Sequence, residues 1–167
     1  MKFLRGCPVN QKEIADDFYE AYEGCFEGKD THQDEYGRIV SHIVAIPGMV
    51  NGLFAFELYL KYLLGDNLKK LKGKERHNLR CLFNVLDDSY KSKLNHVECD
   101  QRYTLDGLLS DIGDGFIEWR YIYEDGNEKF GNDYPVEFTE YFLKTYLPVI
   151  RKMATNKFDM NQKDKVE

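Results

Sequence analysis

The chain is predicted to be all-α, an up-and-down bundle of four to five helices, on three observations. Apolar residues recur at helical spacing in several separate stretches, and clusters of Gly, Asp and Asn punctuate them. One stretch is apolar almost all round, as a helix enclosed by others must be. At 167 residues the chain can bury a single core without disulfides or metal. A hydrophobic share of 43% and a charged share of 31% place it between membrane bundles and disordered chains. The aromatic share of 14%, from twelve Tyr, eleven Phe and one Trp, lets a small helical core fill its volume with few side chains.

The first helix is expected from about Asn10 to Gly24, with Ile14, Phe18, Tyr22 and Cys25 on one face and acids on the other. Residues 28–37 lack periodicity and read as a loop. A second helix follows from near Arg38, with Pro47-Gly48 predicting an early kink or break and Gly65-Asp66-Asn67 its stop. Its stretch from Gly52 to Leu64 marks it as the central element. After a basic connector, Asn78 is a candidate cap for a third helix with the stripe Leu79, Leu82, Phe83, Leu86, Tyr90 and Leu94. A fourth helix from about Asp100 to Ile112 carries Leu105, Leu108, Leu109 and Ile112, and Gly113 and Gly115 end it. Residues 116–124 suit a strand or a helical turn equally and are kept as irregular or helical. Pro135 fits the first turn of a last helix with the stripe Phe138, Phe142, Tyr146, Val149 and Met153; from Asn156 onward the polar tail is expected to fray.

Composition narrows the function. A net charge of -6 opposes non-specific binding to nucleic acid or anionic lipid, so such binding needs a local basic patch. Cys7, Cys25, Cys81 and Cys99 stand too far apart for a zinc or redox motif and read as reduced, mostly buried thiols. Residues 43–64 approach the length of a membrane-spanning helix, but Asn51, Glu57 and Lys61 interrupt them, and a central charge costs about 2.5–3.5 kcal/mol on insertion. With no secretory core at the N-terminus, the expected location is the cytoplasm.

Three features carry possible chemistry. Glu57 and Lys61, at i and i+4, are the polar window of the central helix; they are either a solvent-facing ion pair or the floor of a polar pocket. Between Lys69 and Arg80 the charge is inverted, with Lys72, Arg76, His77 and Arg80 leading into the third helix, whose N-terminus also favours an anion; phosphate is the ligand these features suit, and a solvated lysine loop is the plain alternative. Arg120 and Glu124, among Trp119, Tyr121 and Tyr123, suit core packing or base stacking. No nucleophile–His motif, metal-binding His pair or Gly-rich phosphate loop is present, so neither a cofactor nor a metal site is expected.

Taken together, residues 51–61 (NGLFAFELYLK), His77-Asn78-Leu79-x-x-Leu82-Phe83 and Phe116-x-x-Trp119-Arg120-Tyr121-x-Tyr123-Glu124 resemble a HEPN domain over residues 38–153. The chain reads as one helical domain over residues 1–155 with a polar tail over 156–167, and the resemblance implies an up-and-down helical bundle and frequent dimerisation. It also implies roles in RNA cleavage, in nucleotide binding, or beside a small nucleotidyltransferase partner in bacterial conflict and toxin-antitoxin systems. Catalytic members carry Arg, four to six intervening residues, then His. None of the four histidines here has Arg in that window; Lys70 or Lys72 before His77 is the nearest imitation, and lysine lacks the planar fork that grips phosphate.

Three functions follow. The favoured one is a non-catalytic module holding a nucleotide or RNA phosphate through Glu57, Lys61, Lys72, Arg76, His77, Arg80 and Arg120. The second is a metal-independent ribonuclease with His77 as general acid/base and Lys72 or Arg76 stabilising charge. The third is a homodimerising or partner-docking protein with no ligand. If helices two and three are antiparallel, His77, Glu57 and Lys61 meet at one polar surface.

Overall fold

The computed structural model describes residues 10–27, 31–33, 39–41, 45–100, 102–113 and 136–163. Three long helices build the core: α1 (Gln11–Glu27), α2 (Ala45–Leu64) and α6 (Val136–Lys163). Between α1 and α2, Thr31–Gln33 (β1) pairs antiparallel with Ile39–Ser41 (β2), so the expected loop carries a small hairpin and Ile39–Ser41 is not yet helical. Three short helices, α3 (Leu79–Asn84), α4 (Asp88–Asn95) and α5 (Leu105–Asp111), lie between α2 and α6. The protein is all-helical in its core, but it is not a set of equal antiparallel rods.

The central position of α2 follows from its composition, since Leu53, Ala55, Leu58 and Tyr59, which point to different sides of the helix, are all buried. Its contacts fix the directions. Phe26 meets Gly48, Tyr22 meets Gly52 and Asp16 meets Tyr59, so α1 runs antiparallel to α2. Leu143 meets Gly52 and Lys157 meets Leu63, so α6 runs parallel to α2, and the short helices carry the chain back. Close approach requires glycine at two places one turn apart. A Cβ on Gly48 would lie 2.5 Å from Phe26 Cε2, and one on Gly52 would lie 2.8 Å from both Leu143 Cδ1 and Tyr22 Cδ2.

Several sequence expectations are corrected. Pro47 sits in the first turn of α2, where its missing N–H has no helical partner to lose, so it starts the helix rather than kinking it. The expected third helix is two: α3 ends at Asn84, and α4 begins again after Asp87. The stripe Leu82, Phe83, Leu86 and Leu94 is buried on both sides of that break. The fourth helix starts at Leu105, where the Thr104 hydroxyl accepts from Gly107 N–H at 3.1 Å. Cys25, Cys81 and Cys99 are free but only partly buried. Residues 116–124, Pro135 and Cys7 lie outside the described residues.

Residues 156–163 of the expected tail are helical, continuing α6 to Lys163. Lys157 Nζ donates to the carbonyls of Leu63 (2.8 Å) and Tyr62 (3.3 Å), closing the C-terminal end of α2 where ladder donors run out. Gly65, at φ +52°, then turns the chain away. No helix among the described residues is long and apolar enough to cross a membrane.

The Lys157 cap gives a direct test. Lys157→Met keeps the stem but removes the donor, and is expected to cost about 1–2 kcal/mol, a fall in Tm of roughly 3–6 °C. Thermal unfolding followed by circular dichroism measures it; an unchanged Tm would show that the cap contributes nothing.

Candidate functional site

Glu57 is fully buried, with 0% exposure, so the solvent-facing reading of its pair with Lys61 does not hold. The helical i, i+4 spacing brings Lys61 Nζ to 2.5 Å from Glu57 Oε1. His77 Nδ1 reaches the same oxygen at 3.0 Å and lies 3.5 Å from Lys61 Nζ. Because Oε1 is an acceptor, the contact requires the proton on Nδ1, which leaves Nε2 of the half-exposed imidazole for solvent or a ligand. The other carboxylate oxygen, Oε2, is buried and has no hydrogen-bond partner among the described residues.

The connector delivers His77 in two short 3₁₀ turns, Gly65–Lys70 and Gly73–His77, with Gly73 at φ +51° opening the second. The three residues expected to share a polar surface therefore do. The remaining basic residues divide. Lys72 and Arg76 are exposed, with the Lys72 backbone N–H donating to Glu75 at 3.0 Å. Arg80 is committed elsewhere: its Nε and Nη2 grip Asp106 at 3.0 and 2.8 Å, and Nη1 donates to Ser110 at 3.3 Å, tying α3 to α5. The N-terminus of α3 is occupied as well, since Leu79 N–H bonds Gly113 O at 2.8 Å and Cys81 N–H bonds the Asn78 side chain at 2.9 Å. Asn78 is thus the cap that its position suggested, and the anion expected at this terminus loses those donors. Arg120 lies outside the described residues.

Above the triad opens a cleft of about 540 Å³ lined by Phe18, Val50, Phe54, Glu57, Leu58, Lys61 and His77. Phe18 and Phe54 meet edge to face, centroids 4.5 Å apart at 78°. Sequence reasoning missed Val50, Phe54 and Leu58 as cleft residues and placed Phe18 only in a core stripe. The signal was present: Val50, Phe54, Glu57 and Lys61 stand at i, i+4, i+7 and i+11, so the polar window continues backward along α2 as an apolar wall.

A second polar cluster joins the three long helices. Tyr59, buried on α2, donates its hydroxyl to Asp16 Oδ1 on α1 at 2.6 Å. Lys12 Nζ lies 2.6 Å from Asp16 Oδ2, and Arg151 Nε on α6 lies 3.5 Å from Oδ1. Partial burial pushes the Asp16 carboxyl up, but hydrogen bonds from Lys12 and Tyr59 and the charges of Lys12 and Arg151 outweigh it and hold Asp16 below its ordinary 3.8. Burial and the Asp16 hydrogen bond push the Tyr59 phenol strongly up, keeping it a neutral donor.

Comparison with protein-family models, with curated proteins and with solved structures returned no match. Among the described residues, no group of three His, Cys, Asp or Glu side chains is placed to hold a metal.

Two predictions follow from these clusters. Lys61→Met leaves a buried carboxylate with one partner and is expected to cost about 3 kcal/mol, whereas Glu57→Leu combined with Lys61→Met removes the uncompensated charge and regains most of that loss. Urea titration of both variants measures the difference; equal losses would show that the pair's charge is not what the fold must satisfy. For Asp16 the folded pKa is depressed, so its stabilisation is complete above 3.8 and lost as pH falls through the lower folded value. Asp16→Asn should therefore flatten the acid limb of a stability–pH curve, while the parent loses stability there.

Proposed function

We propose that the chain is a non-catalytic binding module for a nucleotide or a short stretch of RNA, of the HEPN-like kind that its three sequence blocks resemble. The observation carrying this reading is the Glu57 carboxylate at an aromatic cleft, held by Lys61 and His77 through Oε1 and with Oε2 buried and without a hydrogen-bond partner among the described residues. A buried carboxylate oxygen without a donor is costly, and a ligand whose entry parts the side chains over Oε2 and supplies an N–H or O–H gains what the unliganded protein lacks. The same charge repels phosphate, which sets an orientation. The base or sugar goes into the cleft, against Phe18 and Phe54 with a donor toward Glu57; the phosphate goes outward to exposed Arg76 and Lys72 on the connector. Lys61, paired with Glu57, positions that carboxylate rather than gripping phosphate. In this proposal the module works in the cytoplasm, as a homodimer or beside a nucleotidyltransferase in a bacterial conflict or toxin-antitoxin system, which the resemblance alone supports.

One contact favours a second reading. Glu57 orients His77 through Nδ1, as a carboxylate orients a general base, and leaves Nε2 available. That arrangement suits a metal-independent ribonuclease, although the family's Arg-to-His pattern is missing.

A nucleotide and oligoribonucleotide panel separates the readings. Thermal shift should show stabilisation that fades with added salt, Glu57→Gln should weaken binding by about tenfold, and Arg76→Glu should weaken it and flatten its salt dependence. RNA incubated in chelator should stay intact. A panel without any stabilising ligand would overturn the proposal, and cleavage lost in His77→Ala would replace it with the ribonuclease.

A further inference from the structure

On the other flank of α1, between that helix and α6, lies a separate cleft of about 440 Å³. Its lining includes Lys12, Tyr19, Arg151, Lys152, Thr155 and Asn156. Pro148 also borders it, where the ring removes the helical bond to the Lys144 carbonyl. Arg151 is held in place before anything binds: its guanidinium lies 4.1 Å from the centroid of the Tyr19 ring, and its Nε edge faces Asp16. Its carboxylate contact is that Nε approach at 3.5 Å, and the guanidinium also engages the Tyr19 hydroxyl. Lys152 is exposed and makes no ion pair among them.

Charge selects the ligand. The lining carries Lys12, Arg151 and Lys152 and no carboxylate; Asp16 lies beside it, paired with Lys12, and Glu23 engages the Tyr19 hydroxyl. Three cations against two acids leave one positive charge, in a chain of net charge -6. A neutral ligand would leave that charge unmatched, and a cation would be repelled. Thr155 and Asn156 add a hydroxyl and an amide that can donate to oxyanion oxygens.

We infer that this cleft binds a phosphate group, through the Arg151 fork and Lys152, with Thr155 and Asn156 completing the contacts. The site is independent of the Glu57 cleft and does not rest on the function proposed for it. One excess charge matches a chain phosphodiester, while a terminal phosphate brings a charge of about -1.5 to -2 and one more non-bridging oxygen; both offer oxyanion oxygens to the same donors.

Inorganic phosphate tests the site on the full chain. At fixed ionic strength and ten times its Kd, phosphate should raise Tm by about 3–6 °C where chloride does not. Lys152→Glu, at a position exposed and without an ion pair among the described residues, should leave the unliganded Tm unchanged and abolish the rise; Lys72→Glu with Arg76→Glu should leave the rise intact. A rise matched by chloride would overturn the inference, as would one that survives Lys152→Glu and disappears in the connector variant. Uridine monophosphate and the dinucleotide uridylyl-uridine, which has a phosphodiester and no terminal phosphate, then tell the two sources apart: the one whose effect Lys152→Glu removes is the source.

Discussion

Burying an ionised carboxylate costs several kcal/mol unless its oxygens are compensated, and Glu57 sits with no solvent exposure in the most apolar helix of the protein. Much of the surrounding architecture can be understood from that demand. Lys61 meets it from within the same helix, one turn on, at the point where α2 is about to end. His77 meets it from the connector. The helix must therefore stop soon after Lys61, and the chain must return over its end. Gly65 makes that turn, and Lys157 of α6 closes the carbonyls that the stop leaves open. The compensation remains incomplete at Oε2, which is why this cluster reads as a site rather than as a structural ion pair alone.

The basic connector separates into residues with different duties, which composition alone presents as one patch. Lys69 pairs with Asp66 at an exposed position, a contact of little energetic consequence in water. Arg80 is a strut between α3 and α5, and its bidentate grip on Asp106 fixes the short helices against each other. Only His77 of this segment reaches the buried carboxylate, while Lys72 and Arg76 remain solvated. A run of like charges thus supplies one inward contact, one brace between helices, one exposed pair of little weight and a small outward-facing reserve.

The shared site was legible in the sequence because two independent constraints pointed to it. An i, i+4 pair alone in an apolar helix must face one direction, and a connector that reverses the chain must bring its far end back beside that pair. The cleft above it was less legible, since Phe18 and Phe54 have the same apolar character whether they fill a core or line an opening. The break between α3 and α4 was hidden for a related reason: Phe83, Leu86, Tyr90 and Leu94 keep a helical spacing through it, so the stripe stays in register although the backbone does not. The tail misled because it is polar; its helix is held by Lys157 at the end of α2 and by Phe158 under Lys12, long-range contacts that no local pattern announces. Pro47 was misplaced by the uncertain start of α2 rather than by its chemistry. The hairpin between α1 and α2 carries no periodicity from which strands of three residues can be read.

The acidic balance of the chain bears on recognition in a specific way. Glu13, Asp17 and Glu20 line the exposed side of α1, the helix that forms a wall of both clefts, with Phe18 on one flank and Tyr19 on the other. At physiological salt, fields decay over about 8 Å, so these acids slow the approach of a long polyanion more than they weaken a contact already made inside a cleft. A strongly basic surface would hold any nucleic acid through counterion release, without discrimination. Net charge opposes such attraction here, so under the proposed binding role affinity rests on placed groups: a buried carboxylate beside aromatic rings at one cleft, an arginine stacked on tyrosine at the other. Under that proposal the division favours small ligands or short single strands over duplexes, because a duplex gains mainly from an extended positive surface, which a net charge of -6 opposes.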